Sequence, residues 1–471
     1  MLNNNNLFWI GIFLYLISFV VMYPNFFSIA DEGSYLMTAY HLSGGKIIID
    51  NLYQSYDQAY SNLRQAYVPG FPLGNSAILV PFASIGWQFI FLAGLLFHLL
   101  NLYILIKIFN EYNIPKIYSL FYLFYPGLLF YSRTIMSEIP TITFTLLGFY
   151  MLLKKDKIKY FWSGFFLGIS CLIRTTNALI VVSVGILLIL KWIKSSFSSE
   201  KFKKIFQYFS GVFPSFILII FFNYLSYGSF FTARQSLNSN ISETFLYFSL
   251  SQLLIYWKPI LVMSLIYPLM LYVPFFIKYK RKNEIVLSIL LFILVLGKSD
   301  IIRYNWLVNF IIGHRYFFPI IPLMLIPYSL FLNKYFKRIV PFMLILLIIS
   351  APFIMYKQSE YTNSKFEIMK IIYEVIPDKS LIIIFGDSQY LNNYFGENYS
   401  VVSYKMFNEL NINEEYYVVY YHNEELISNL KKEFSINEIK GIEARFLDFI
   451  TQKNLTKIYS ENNLVIYEHE S

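Results

Sequence analysis

Long apolar runs separated by short basic clusters fill the chain from its start to about residue 355. The first run, residues 7–27, is long enough to cross a bilayer core. It lacks the basic n-region and small-residue cleavage site of a secretory signal, so it reads as a retained first transmembrane helix. Five clusters of Lys and Arg break the later runs. They are Lys107 with Lys116; Lys154, Lys155, Lys157 and Lys159; Lys191, Lys194, Lys201, Lys203 and Lys204; KYKRK at 278–282; and Lys334, Lys337 and Arg338. Such clusters mark the cytoplasmic side of a polytopic protein. With all five inside, each neighbouring pair must be joined by an outgoing and a returning helix. The outer tips then fall at residues 133–138, 174–177, 227–258 and 298–315. The pattern closes with about eleven helices, the N-terminus cytoplasmic and the C-terminus outside. The pair over 160–191 is short for two full spans.

The pattern changes after residue 355. IIYEVIPDKSLIIIFGDSQY reads as helix, turn, buried strand and polar turn, YYVVYYH and NLVIYE as strands, and EELISNLKKEF as a helix. The expected fold class is therefore a mainly α polytopic membrane protein with a small C-terminal α/β domain. Residues 1–355 form the transmembrane domain, with a long first outer loop at 28–67. Residues 356–471 form the soluble domain, on the same outer face.

Composition supports that division. Only 14% of residues are charged, against roughly 25% in soluble chains, and 56% are hydrophobic, so an ordinary soluble enzyme and a disordered chain are both excluded. The net charge of +9 suggests nucleic acid until it is divided along the chain. Residues 1–355 hold 27 Lys and Arg against 11 Asp and Glu, while residues 356–471 hold 11 against 18. The basic excess belongs to the apolar part, where it sets membrane orientation, and no nucleic-acid partner is implied. The single cysteine, Cys171, excludes an intrachain disulfide and reads as a buried thiol.

The outer acidic residues carry the candidate chemistry. Asp31 and Glu32 lie in SIADEGSYLMTAYHLSGGK, ahead of a helical apolar face of Tyr35, Leu36, Ala39, Tyr40 and Leu42 that would lie along the membrane and end at a Gly pair. In that order the segment resembles the first-loop signature of the C-type glycosyltransferases, polytopic enzymes that take sugars from polyprenyl-phosphate carriers. Further segments match in sequence order: YVPGFPLGNSAIL, SRTIMSEIPTITF, FFLGISCLIRTTNALIVV, NYLSYGSFF and GHRYFFPIIPLMLI. The matches cover most of residues 1–330 and lie closest to the protein-mannosyl and aminoarabinose transferase-like branches. The tail matches only in position. No sugar-specific motif is present, and a single Pro69 stands before Gly70 where the family often has two prolines.

The resemblance implies transfer of a sugar from a polyprenyl-phosphate donor to a glycan, lipid or protein acceptor, at a cell membrane and on its extracytoplasmic face. The family places catalysis on the first acid of the pair, which makes Asp31 the general base. Glu32 would orient the acceptor or help bind an ion, or be a solvated neighbour. Glu138, at the outer end of a helix after Arg133, is a third catalytic carboxylate or a plain helix cap. The departing lipid phosphate needs cations, for which Arg174, Arg303, His314 and Arg315 are candidates, although an interfacial arginine also snorkels to headgroups. Lys46 and Arg64 in the first loop would steer anionic substrate.

Asp31, Glu32, Glu138 and His314 have the chemistry to hold a divalent cation, but no HExxH or CxxC spacing commits the chain to a metal. No Gly-rich phosphate loop follows a strand, and DQAY is not a DxD, so a nucleotide-sugar donor is not indicated. The alternative is a polytopic lipid or sugar transporter or flippase. Such a protein would put its ionisable residues mid-helix near the bilayer centre.

Overall fold

The computed structural model describes residues 4–47, 60–63, 66–69, 71–228, 230, 263–296, 314–377, 380–385, 400–403, 415–421, 455–461 and 464–469. In chain order the helices begin with α1 (Asn4–Val21) and α2 (Ala30–Ser43). After a hairpin of β1 (Tyr60–Leu63) and β2 (Ala66–Pro69) come α3 (Leu73–Ala83), α4 (Phe91–Glu111), and the short α5 (Leu120–Leu123) and α6 (Pro126–Tyr131). Then follow α7 (Glu138–Leu153), α8 (Lys159–Ile173), α9 (Ala178–Ile193) and α10 (Ser199–Tyr227). The last helices are α11 (Val273–Phe276), α12 (Lys282–Leu296), α13 (Ile321–Tyr335) and α14 (Val340–Val375). Strands β3 (Leu381–Phe385), β4 (Ser400–Ser403), β5 (Tyr416–Tyr421), β6 (Thr456–Glu461) and β7 (Leu464–His469) complete the described chain.

Among the described residues five helices are long and apolar enough to cross a membrane: Asn4–Val21, Trp87–Glu111, Thr175–Ile193, Ser199–Leu225 and Val340–Val375. The first ends earlier than its apolar run, because the residue before Pro24 is pushed out of the helical region. The 160–191 segment forms two helices, α8 and α9, turning at Arg174 and a 3₁₀ turn over Thr175–Asn177, but α8 packs mainly on α7 and α10 and only lightly on α9. The outer tips expected at 227–258 and 298–315 fall almost wholly outside the described residues.

The chain divides into two compact units. One comprises Met1–Pro24 and Phe71–Glu360; the other comprises Asn25–Gly70 and Tyr361–Ser471.

In the first unit α8 packs between α7 and α10. The α8–α10 crossing is so close that a Cβ on Gly164 would run into the Tyr208 carbonyl, which is backbone and cannot swing aside. Gly164→Val should therefore lower stability by about 1–3 kcal/mol, the usual cost of overpacking. Thermal unfolding in detergent measures it, and an unchanged midpoint would contradict this packing. Some of the basic clusters have a structural role as well. Glu284, almost fully buried, takes Lys191 at 2.9 Å and Arg281 at 3.0 Å, and Arg281 also donates to the Leu152 carbonyl at 2.6 Å. These bonds join α7, α9 and α12.

In the second unit the tail strands form one mixed sheet in the order β4-β3-β5-β7-β6. β3 runs parallel to β4 and β5, while β7 runs antiparallel to β5 and β6. Leu381, Ile382 and Ile383 are all buried, as a strand covered on both faces requires. β6, with exposed Thr456 and Lys457, forms an edge that a lysine keeps from pairing further. Before the sheet, Met369, Ile372 and Ile376 recur at helical spacing and are buried. The helix expected over EELISNLKKEF lies outside the described residues.

Candidate functional site

In the first unit the polar side chains gather around the start of α7. Glu138 is its first residue, and Pro140, with no N–H to leave unpaired, is tolerated in that first turn. Three buried amides hold this region. Asn75 of α3 donates to the Ile135 carbonyl at 2.9 Å, Asn101 of α4 to the Ile139 carbonyl at 3.0 Å, and Asn177 to the Thr145 hydroxyl at 2.9 Å. The carboxylate is thus presented from a clamped backbone.

Glu138 is fully buried and pairs with the Arg174 guanidinium at 2.5 Å; only 11% of the Arg174 side chain is exposed. Arg174 also reaches the Ser137 hydroxyl at 3.4 Å and the Thr176 hydroxyl at 3.3 Å. Burial works against the arginine's charge, and the carboxylate beside it more than offsets that, holding its pKa above the ordinary value. Both Arg174 and Arg315 lie over the Tyr316 ring, 5.1 Å and 5.4 Å from its centroid. Two guanidiniums thus stand against one ring, and Glu138 holds the first of them in place. Such a group suits a phosphate, since the arginines are already oriented and little rearrangement is needed on binding. Helix capping alone does not describe Glu138: its charge is buried and depends on Arg174.

His314 stands beside Arg315 in the chain but is fully buried. Burial pushes its imidazole down to about 3, so at neutral pH it carries no charge. In this setting it offers hydrogen bonds. Its Nε2 lies 2.6 Å from the Tyr125 hydroxyl. Tyr125 was not legible as a site residue, nor was Arg133, which marked only an outer tip. Arg133 is fully buried and donates from Nε to Gln358 at 3.0 Å. The signal missed was a lone Arg in the turn between two apolar helices.

In the second unit Asp31 and Glu32 sit inside the first turn of α2 rather than ahead of it. Glu32 is fully buried, and one of its oxygens accepts from the backbone N–H groups of Ser28 (2.8 Å) and Ile29 (2.9 Å). It closes the start of the helix as the returning carboxylate of a capping box does. A solvated-neighbour role for Glu32 is thereby excluded. Asp31, one position earlier, is half-buried. The helix does not lie with one face on a bilayer, as its apolar pattern suggested. Tyr35, Leu36, Met37 and Ala39 are all covered by protein, and consecutive buried positions cannot occupy one face. Lys46 is exposed just after the Gly44–Gly45 turn that ends the helix.

Arg64 and Arg303 lie outside the described residues. Among the described residues no three His, Cys, Asp or Glu side chains group as a metal site.

No protein-family model matches the sequence, and no curated protein does either. Solved structures do match. The crystal structure of ArnT from Cupriavidus metallidurans in the apo state aligns with a TM-score of 0.61 at 10% identity, covering 98% of this chain and 97% of that one. The structure of the same protein bound to undecaprenyl phosphate aligns with a TM-score of 0.56 at 10% identity, covering 98% of both chains. Over nearly its whole length, this chain has the ArnT fold.

Proposed function

We propose that the chain is an integral membrane glycosyltransferase that moves a sugar from a polyprenyl-phosphate donor to an acceptor on the extracytoplasmic face. The observation that carries this reading is the pair of arginines, Arg174 and Arg315, set against the Tyr316 ring with Glu138 holding Arg174, on a fold shared with a protein that binds undecaprenyl phosphate. A transfer from such a donor forms a bond from the acceptor oxygen or nitrogen to the anomeric carbon. The bond from that carbon to the phosphate oxygen breaks, and its electron pair leaves with the polyprenyl phosphate. Asp31 takes the acceptor's proton. Glu32, by capping α2, holds the turn that presents Asp31. Arg174 and Arg315 take the charge that develops on the departing phosphate, and Glu138 orients Arg174. Lys46, Arg64 and Arg303 act as outer cations that raise the local concentration of an anionic lipid donor. Which sugar is moved is a separate question, and lipid extraction with mass spectrometry of cell glycans from a strain lacking the protein answers it.

The reading requires one orientation: N-terminus cytoplasmic, with the first loop and the C-terminal domain outside. Cysteines introduced at Ser55 and Ser388 should react with an impermeant thiol reagent in intact cells. Reaction only after membrane disruption would place both on the wrong side for a donor presented outside.

A further inference from the structure

We infer that the corner joining α9 to α10 is a binding site for the headgroup phosphate of an anionic phospholipid, with Phe197 and Phe202 set among the acyl chains. The inference needs only that the chain spans a membrane, and it stands apart from the transferase reading. Two of the membrane-capable helices, Thr175–Ile193 and Ser199–Leu225, meet at this corner. It therefore lies at a bilayer surface whichever way the chain is oriented. The loop between them is closed by its own backbone. The Ser196 N–H donates to the Ile193 carbonyl at 3.1 Å, and the Phe197 N–H to the Trp192 carbonyl at 3.2 Å.

That closure is strained. Ser196 and Phe197 both take left-handed backbone angles, with φ of 53° and 61°, where a side chain crowds the following carbonyl oxygen and glycine is the usual choice. The strain turns Phe197 outward, 62% exposed, with its ring edge-on to Trp192 at 4.9 Å. Trp192 also meets Phe202 at 5.4 Å, and Phe202 and Phe206 are exposed on successive turns of α10. An exposed aromatic cluster at the end of two spans suits the boundary between headgroups and acyl chains. Within the cluster the Trp192 Nε1–H is shielded and has no acceptor among the described residues. At the boundary of a bilayer, lipid phosphate and ester oxygens supply that acceptor.

The charges select which lipid binds. In the same basic cluster Lys191 is spent on Glu284 and Lys204 on Glu200. Lys194, at the end of α9, and Lys201 and Lys203, at the start of α10, make no ion pair among the described residues. Lys194 and Lys203 are exposed and Lys201 is half-buried. Three ammonium groups around an apolar anchor match a lipid with net negative charge. A zwitterionic lipid cancels its own phosphate. Because lysines act as point charges, the site reads the charge of the headgroup more than its shape.

The test titrates the full-length protein in non-ionic detergent with phosphatidylglycerol or phosphatidylcholine carrying brominated acyl chains, and reads tryptophan quenching. In the wild type phosphatidylglycerol should quench at much lower concentration, and that saturable part should be lost in Trp192→Phe. Replacing Lys194, Lys201 and Lys203 together with Gln should weaken phosphatidylglycerol binding roughly a hundredfold at low salt, about fivefold for each lysine near a lipid surface. Inorganic phosphate should not displace the lipid. Phe197→Gly relieves the left-handed backbone and removes the anchor. It should melt no lower than wild type without lipid and gain less stability from phosphatidylglycerol. Equal quenching of the wild type by both lipids would overturn the inference without needing any variant to fold. A preference for phosphatidylglycerol that survives the triple substitution would overturn it too. Displacement by inorganic phosphate would make the corner a site for the free ion and overturn the lipid. A Phe197→Gly variant that melts lower and keeps the full gain from phosphatidylglycerol would make Phe197 packing for Trp192 and overturn the anchor.

Discussion

Replacing Asp31 with Asn should leave expression, folding and donor binding nearly unchanged while sugar transfer falls ~10²–10⁴-fold, the range for a lost general base. The amide has nearly the carboxylate's shape and cannot accept the acceptor's proton. The size of the effect separates Asp31 from its neighbour. Glu32 already spends one oxygen on the Ser28 and Ile29 N–H groups, and Gln retains an acceptor oxygen there. Glu32→Gln should therefore cost transfer less than Asp31→Asn and should lower thermal stability, by about 1 kcal/mol for a weakened cap. Steady-state rates with a labelled donor, alongside melting curves, measure both. Equal activity in wild type and Asp31→Asn would remove Asp31 from the chemistry.

Arg174→Ala is the second large effect, and it acts in two ways. It takes a cation from the phosphate site, with transfer expected to fall roughly 10²–10³-fold, as for removal of one preorganised donor. It also leaves Glu138 buried without its counter-charge, at a cost of about 3–5 kcal/mol. The two effects come apart in a pair of variants. Arg174→Met with Glu138→Gln removes both charges, so stability should largely return while transfer stays low. Arg174→Lys keeps the charge and loses the planar fork that also faces Ser137 and Tyr316, so it should rescue stability better than activity. Full transfer in Arg174→Ala would return this arginine to a purely structural role.

What the sequence made legible is what local chemistry dictates. The helix that carries Asp31 and stops at Gly44, the turn at Arg174 and the strand LIIIF each follow from periodicity and from Gly or polar breaks within a few residues. Pairings over long stretches of chain were not legible. Glu138 and Arg174 were both named, one as a base or cap and the other as a phosphate ligand, and nothing in their spacing says that each is the other's partner. Tyr125 meets His314 across 189 residues, and in a chain with 41 tyrosines no pattern singles one out. The burial of His314 is not legible either, since burial is a property of packing. Glu32 does carry a local signature, since a Glu three residues after the N-cap is placed to return to the cap's N–H.

The most direct test of the transferase reading uses membrane vesicles containing the wild-type chain or Asp31→Asn, supplied with a mixed pool of labelled polyprenyl-phosphate sugars and cell-envelope acceptors. The wild type should release polyprenyl phosphate in step with labelled glycosylated product, and the Asn variant should bind donor and form almost no product. Donor lipid moving between leaflets in a wild-type-dependent way, with no labelled product from any sugar in the pool, would contradict it.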